Sequence, residues 1–218
     1  MTPDWEQHYL DHRIPWEKGA PAPPLLEWLE ANPDTVSGSV LVPGCGFGHD
    51  VRALARETDA DFVVGLDVAE TAIARCREFD TVGAERYVVG DLFDLGPEHR
   101  EAYDWVWEHT CFCAVDPERR RDYVEAVRRA LKPGGCLLGV FFLDPYDDEH
   151  RPGQGPPHGT SVYELKARFA HSGKFRIEDL YVPRRSYPGR EEKECVLRMT
   201  KLGTRRASGP DDETGLWT

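Results

Sequence analysis

Glycines at every second position, Gly44, Gly46 and Gly48, follow an apolar run directly and precede a segment of helical period. Glycine at a strand-to-helix turn lets the backbone turn tightly and lets a ligand approach without meeting a Cβ atom. The dinucleotide-binding fingerprint GxGxxG would place its last glycine at His49, so this spacing alone is also compatible with an ordinary tight turn. The turn is therefore a candidate cofactor site whose support must come from the residues around it.

Two acidic residues follow the next two apolar runs. Asp67 stands 19 positions after Gly48, where a carboxylate can accept hydrogen bonds from both hydroxyls of a ribose. Asp91 can bond an adenine amino group, and the apolar side chains of Leu92 and Phe93 can enclose the ring. Each acid alone is equally compatible with a plain strand-end or helix-capping residue. Because the carboxyl ends of parallel strands meet at one crevice, the two acids together predict an adenosine-containing cofactor.

A parallel sheet is needed to position these residues, and the pattern from Ser39 onward predicts one. Short apolar runs alternate with segments of helical period, which is typical of a doubly wound α/β fold. Strands are predicted at 39–42, 62–65, 86–89, 105–108 and 136–143, and a final pair at 175–182 and 193–200 is expected to be antiparallel at one sheet edge. The clearest helix spans about Pro117–Leu131, capped by Asp116, and its arginines are expected to form a solvated face.

Composition limits the function classes. The chain has 218 residues with 27 Lys and Arg against 39 Asp and Glu, a net charge of -12. This balance disfavours a nucleic-acid binder, because such binding depends on cations that neutralise phosphates, and it disfavours an anionic membrane surface. No apolar run approaches the ~20 residues of a membrane-spanning helix. The six cysteines lack the pattern of a disulfide scaffold, so we expect a cytoplasmic protein. The expected oligomeric state is a monomer or weak homodimer.

The length indicates one domain, over residues 1–202. Within it, the segment 1–38 is predicted to cover the cofactor, and the Pro- and Gly-rich stretch 144–159 is predicted to form a loop on the substrate side. Residues 203–218 are polar and interrupted by Gly and Pro, which predicts a flexible C-terminal tail.

The order of several short motifs resembles one known family. They are Trp5-x3-Tyr9-x6-Trp16, the glycine turn, Glu108-His-Thr-Cys-Phe-Cys-Ala114, Leu131-Lys-Pro-Gly-Gly135 and Gly155-Pro-Pro-His158. This series resembles the thiopurine methyltransferase-like family of class I S-adenosylmethionine-dependent methyltransferases, and within it the thiol and halide (thiocyanate) methyltransferase branch. The resemblance covers about Trp5–Lys201. It implies a Rossmann-like, mostly parallel seven-stranded sheet and S-adenosyl-L-methionine as the cofactor.

The residues and the resemblance together give a set of candidate site residues. The candidate cofactor residues are Trp5, Tyr9, Trp16, Gly44, Cys45, Gly46, Asp67, Val68, Asp91, Leu92, Phe93 and Glu108. The catalytic candidates are His158 and His109, and no metal site is predicted. Three positions depart from the family pattern: Tyr9 stands where Trp is usual, Glu108 where Asp is common, and His158 where Tyr is usual. An imidazole at His158 could accept a thiol proton or, when protonated, attract an anion.

The implied reaction is methyl transfer by in-line displacement to a thiol, sulfide, thiocyanate, halide or thiopurine. The sulfonium brings the electrophile, so the protein mainly supplies orientation, desolvation and charge placement. A thiol is already partly ionised near neutral pH. Cys111 and Cys113 are therefore expected to pack behind the site rather than to act as nucleophiles. The alternatives are a methyltransferase for a small O or N acceptor, a nicotinamide oxidoreductase, and a non-catalytic S-adenosylmethionine-binding protein.

Overall fold

A computed structural model describes residues 3–145 and 155–203 of the chain. Most of the predicted substrate-side loop (residues 146–154) and almost all of the predicted tail (residues 204–218) lie outside the described residues. Within the two described ranges, every helix is too short or too polar to cross a membrane.

Seven strands of the described chain form one sheet in the order β3-β2-β1-β4-β5-β7-β6. Their bounds are β1 Ser37–Pro43, β2 Asp59–Asp67, β3 Glu85–Val89, β4 Tyr103–His109, β5 Leu131–Phe142, β6 Phe175–Tyr181 and β7 Glu194–Lys201. The first five strands are parallel, whereas β7 is antiparallel to both β5 and β6. The doubly wound, mostly parallel sheet is confirmed. The reversed strand β7 is the penultimate one, and β6 is outermost.

Helices connect the strands and cover both faces of the sheet. Their bounds are α1 Trp5–Leu10, α2 Pro23–Ala31, α3 His49–Glu57, α4 Glu70–Cys76, α5 Arg120–Ala130 and α6 Val162–Leu165. The central strands are apolar along most of their length because both of their faces are covered. The two larger core clusters of the described residues contain Leu41, Phe112 and Tyr123 in one case and Trp28, Val40 and Trp107 in the other, and a small third one forms around Tyr9.

The clearest predicted helix differs from the observed one at both ends. Asp116 accepts a hydrogen bond from the backbone of Glu118, but the first turn is a separate 3-10 turn, Pro117–Arg119, and α5 begins at Arg120. Leu131 already belongs to β5, where it pairs with Tyr103. The strand predicted from residue 136 therefore starts earlier, because pairing with β4 extends it through the turn residues.

The strand ends that face the predicted cofactor are tied to one another by backbone hydrogen bonds. Cys45 N donates to Leu66 O over 3.0 Å, which joins the glycine turn to the end of β2. Gly90 N donates to Asp67 O over 2.9 Å, which joins the segment after β3 to the same strand. The ends of β1, β2 and β3 thus border one crevice at this edge of the sheet (the crevice).

Candidate active site

The glycine turn after β1 adopts a backbone that side chains disfavour. Gly44, Gly46 and Gly48 all have left-handed φ angles of 61°, 53° and 72°. An ideal Cβ at Gly44 would lie 3.2 Å from Cys111 Sγ, and one at Gly46 would lie 3.3 Å from Tyr9 Oη. The turn therefore needs glycine for its conformation and for the close approach of Cys111 and of Tyr9 from α1.

Asp67, at the end of β2, holds this turn in place. Its Oδ2 accepts a hydrogen bond from Gly46 N over 2.9 Å, and its Oδ1 accepts one from Ala69 N over 3.0 Å. Burial raises the pKa of Asp67, although the backbone hydrogen bonds oppose this effect. Each carboxylate oxygen has a further lone pair, so the same group can still accept hydrogen bonds from ribose hydroxyls. The next residue, Val68, is 46% exposed at the crevice edge.

The predicted adenine-side residues follow β3 as expected. The exposed Asp91 accepts a hydrogen bond from Phe93 N over 2.8 Å and caps the short turn Leu92–Asp94. Leu92 is buried, whereas Phe93 is half-buried and has the Arg119 guanidinium 4.0 Å from its ring centre. Leu92 therefore forms an apolar wall beside Asp91, and the Arg119 guanidinium covers part of the Phe93 ring.

Aromatic side chains of the N-terminal segment lie over the glycine turn. Trp16 Nε1 donates to Tyr9 Oη over 3.2 Å, and the Tyr9 ring lies 5.4 Å from that of Phe47, within the turn. Trp5 packs edge-on against Trp16 at 5.4 Å. The carboxylate of Glu6 accepts hydrogen bonds from the backbone and hydroxyl of Thr71, at the start of α4. These contacts place all three predicted aromatics in one cluster, and Tyr9 lies directly beside Gly46.

The geometry of the crevice fits an adenosylated cofactor. The backbone cradle at Gly44 and Gly46 carries no side chains, a carboxylate stands at the end of β2, and aromatic rings flank the turn. Cys45 is half-buried. Its hydrogen bond with Cys76 and, next in size, its burial raise the pKa of its thiol well above the usual range. Cys45 therefore remains a thiol within the turn. Among the described residues no cluster of metal ligands occurs.

Glu108, a predicted cofactor residue, has its carboxylate inside the core. It is 1% exposed and accepts hydrogen bonds from Phe112 N over 2.8 Å and from the Tyr123 hydroxyl. Burial raises the pKa of Glu108 to about 7, against the effect of these hydrogen bonds and of His109. The structure thus shows this side chain organising the turn that follows β4.

The predicted catalytic residue His158 lies beside that same turn. His158 N donates to Cys113 O over 2.6 Å, and a Cβ on Gly155 would overlap the imidazole. Arg120, 1% exposed, donates to the carbonyls of His158 over 2.9 Å and Gly159 over 3.0 Å. The prediction of a solvated face is therefore wrong for Arg120, which α5 directs inward to hold this loop.

Replacing Arg120 by Met is expected to lower the free energy of unfolding by about 2 kcal/mol, because three half-buried acceptors lose a buried, charged donor. The third is Glu164, at 3.0 Å, which keeps Arg168 as a partner at 2.6 Å and so limits the loss. Urea unfolding measures the change, with the exposed neighbour Arg121→Met as the control. Equal losses in the two variants would contradict the anchoring role of Arg120.

The second predicted catalytic residue, His109, ends β4 and pairs with an acid that sequence reasoning did not select. His109 Nδ1 lies 3.1 Å from Asp50 Oδ2, and Asp50 also accepts hydrogen bonds from Trp107 Nε1 over 2.8 Å and from Ala22 N over 2.7 Å. Burial opposes the ionisation of Asp50, but the hydrogen bonds from His109, Ala22 and Trp107 outweigh it and lower the pKa. The position of Asp50 in the first turn after the glycines was the available signal.

The segment before β7 is a further part of the site that the sequence did not indicate. The Tyr187 ring stacks on His109 at 6.0 Å, and the Arg190 guanidinium lies 5.7 Å from the Tyr187 ring and 4.8 Å from that of Phe142. Arg190 also pairs with the buried Glu194 at 3.2 Å. The one sequence signal for this segment was Tyr187, an aromatic residue followed by Pro and Gly, because loops commonly carry binding residues.

The strand order and the glycine turn after β1 define a class I S-adenosylmethionine-dependent methyltransferase fold. Among solved structures, the 1,6-didemethyltoxoflavin-N1-methyltransferase of Burkholderia thailandensis, with bound S-adenosylhomocysteine, has this fold. Its TM-score is 0.64 at 18% identity, with 92% of this chain and 86% of that chain covered.

Sequence comparison identifies the family. The family profile described as thiopurine S-methyltransferase matches residues 1–201. The chain is 32% identical over 204 residues to thiocyanate methyltransferase 1 of Arabidopsis thaliana, covering 91% of this chain and 84% of the relative. It is 36% identical over 166 residues to probable thiol methyltransferase 2 of the same plant, covering 74% and 69%. The chain therefore belongs to the thiopurine S-methyltransferase family, and it is a methyltransferase that uses S-adenosyl-L-methionine.

Proposed function

We propose that the protein transfers a methyl group from S-adenosyl-L-methionine to a small sulfur nucleophile or anion: a thiol, sulfide, thiocyanate, halide or thiopurine. The main support is that the turn after β4 contacts both the glycine turn and the segment of His158, since Cys111 lies against Gly44 and the carbonyl of Cys113 accepts a hydrogen bond from His158 N. The names of the Arabidopsis relatives, a thiocyanate and a thiol methyltransferase, favour the same acceptors.

The proposed cofactor residues are those predicted from the sequence. Bound S-adenosylmethionine supplies a methyl group on a sulfonium, which is an electrophile without further activation. Gly44 and Gly46 offer backbone free of side chains to it, Asp67 and Asp91 accept hydrogen bonds from the adenosine part, and Tyr9 covers the turn. Trp5, Trp16, Cys45, Val68, Leu92 and Phe93 complete the proposed set, whereas the buried Glu108 carboxylate supports it from the core by holding the turn after β4. The aromatic rings exclude water and favour a cation by up to ~2 kcal/mol.

The residues of the acceptor side orient the nucleophile and set its charge. We assign this role to His158 and His109, which lie on the two segments that meet at the Cys113 carbonyl. Burial raises the pKa of the Cys111 thiol well above its usual range and that of Cys113 to about 12. Both cysteines therefore remain thiols, and transfer proceeds directly, without a covalent enzyme intermediate. We also propose a cytoplasmic location, because all six cysteines are free.

The proposal is tested by calorimetric binding of S-adenosylmethionine and S-adenosylhomocysteine, followed by product assays with iodide, thiocyanate, hydrosulfide, an alkyl thiol and a thiopurine. A catechol and a primary amine serve as non-sulfur acceptors. Methylation of at least one sulfur or halide acceptor is expected. Turnover of the catechol or amine alone would overturn the acceptor class, and cofactor binding without any turnover would favour a binding protein.

His158→Phe is expected to lower kcat/KM for the preferred acceptor about tenfold, because the ring loses its polar atoms at the acceptor side. The Kd for S-adenosylhomocysteine should stay within about twofold of wild type. The exposed His171→Phe is the matched control. If His158→Phe weakens the binding of both cofactor and acceptor, His158 has a general structural role instead.

A further inference from the structure

A buried acid and imidazole pair stands between the glycine-turn helix and the end of β4. The side chains of Asp50 and His109 are each 13% exposed. Because Asp50 is held by three hydrogen bonds from different parts of the chain, it fixes the Nδ1 side of the His109 ring. Such a carboxylate selects the tautomer with a proton on Nδ1, which leaves Nε2 free to accept a proton. Asp50 thus sets the tautomer and the orientation of the His109 ring before a substrate binds.

The free side of the imidazole carries the second observation. His109 Nε2 is buried and has no hydrogen-bond partner among the described residues. Two further buried atoms are in the same condition: Ser186 Oγ, next to the stacking Tyr187, and Glu194 Oε2, at the start of β7. Buried polar atoms are nearly always hydrogen-bonded, so the orphaned Nε2 of His109 indicates a place where a ligand or water binds. The glycine turn is close by, since Asp50 lies in the first turn of the helix that follows it.

We infer that His109 is the proton acceptor for a thiol substrate, with Asp50 as its positioning residue, so that a protonated thiol rather than a halide or thiocyanate is the preferred acceptor. This inference rests on the proposed function. Nε2 takes the proton of R–SH, and the sulfur electron pair forms the new S–CH3 bond. The bond from that methyl to the cofactor sulfonium breaks, and its electron pair stays on the cofactor sulfur, which becomes a neutral thioether. The imidazolium is stabilised by Asp50 and releases the proton to solvent.

Charged and titratable groups reach His109 from each element packed around it. Asp50 faces it from α3, Glu108 acts on it along its own strand, and Tyr187 stacks on it from the segment before β7. Behind Tyr187 lie Glu17, Arg190 and Glu194, which act on its hydroxyl. Asp50, the acid in direct contact with the ring, stabilises the imidazolium that the transfer produces, since an opposite charge nearby stabilises a cation.

The test compares an alkyl thiol, which must lose a proton, with iodide, which carries none. The alkyl thiol is cysteine, whose thiol has a pKa of ~8.5 and is about 3% ionised at pH 7, so loss of the proton acceptor costs up to ~30-fold. His109→Asn can keep a hydrogen bond to Asp50 but has no atom at the position of Nε2. It is expected to lower kcat/KM about 30-fold for the alkyl thiol at pH 7 and less than threefold for iodide. The deficit should shrink to less than threefold at pH 9, where the free thiol ionises by itself.

Asp50→Asn and the exposed His171→Asn complete the set. The Asp50 variant should show the same selective loss for the alkyl thiol, and 4-nitrobenzenethiol, which is ionised at neutral pH, should be methylated like iodide by all variants. His171→Asn should match wild type. Equal losses for thiol and iodide in His109→Asn, or a loss independent of pH, would overturn the inference while the proposed function stands. If wild type methylates only thiocyanate, hydrosulfide or a thiopurine and none of these three acceptors, the inference is likewise overturned while the proposed function stands. If wild type methylates no sulfur or halide acceptor at all, the proposed function is overturned, and the inference with it.

Discussion

Asp67→Ala is expected to raise the Kd for S-adenosylhomocysteine at least 100-fold. The carboxylate accepts hydrogen bonds from Gly46 N and Ala69 N, so its removal frees the glycine turn as well as the proposed ribose contact. A 100-fold change corresponds to about 2.7 kcal/mol, which is of the size of a lost charged acceptor with two or more donors. Isothermal titration calorimetry on the purified protein measures the change directly.

Two controls separate the site from the fold in this experiment. Asp59→Ala removes an exposed acid at the other end of β2 and should leave the Kd unchanged. The 2′-deoxyribose analogue of S-adenosylhomocysteine should bind wild type more weakly than the parent, but bind Asp67→Ala as the parent does. A Kd for Asp67→Ala within threefold of wild type would contradict the central place of Asp67 in the crevice.

The parts of the site that directly follow strands could be predicted from the amino-acid sequence. The glycine turn, Asp67 and Asp91 follow strands directly, and parallel strands necessarily end at one edge of the sheet. The alternation of apolar runs and helical segments likewise predicted the sheet and its antiparallel pair. These features depend on local pattern and on the general rules of α/β folds, so a single sequence carries them.

Contacts between distant residues could not be predicted in this way. Asp50 and His109 are 59 positions apart, and their pairing depends on how α3 packs on β4. Likewise, only the exact start of α5 decides which of three consecutive arginines, Arg119, Arg120 or Arg121, turns inward. The sequence placed Glu108 at a strand end, but alternation along β4 decides which face its side chain takes. Each case needs the packing of one element against another, which residue spacing does not carry.

The buried Glu108 makes stability depend on pH in a direction opposite to that of most carboxylates. Its pKa in the folded protein is about 7, because burial disfavours the charged form, whereas an unfolded glutamate has a pKa of about 4.3. The folded state therefore binds more protons than the unfolded state between these two values, and stability falls as pH rises through this range. Well below pH 4.3 the contribution is constant, and well above pH 7 it reaches its full cost of about 4 kcal/mol.

Glu108→Gln tests this argument, because glutamine cannot ionise but can still accept the hydrogen bond from Phe112 N. The free energy of unfolding of wild type relative to Glu108→Gln is expected to fall by about 3 kcal/mol between pH 4.5 and pH 7.5. Urea unfolding of both proteins without cofactor, at matched pH values, gives this difference, and the exposed Glu118→Gln controls for the change in net charge. If the difference between wild type and Glu108→Gln stays constant over this range, Glu108 titrates in the folded protein as it does in the unfolded chain. The carboxylate would then be charged in the core at neutral pH, and the turn after β4 would be held by an anion rather than by a group that carries a proton up to about pH 7.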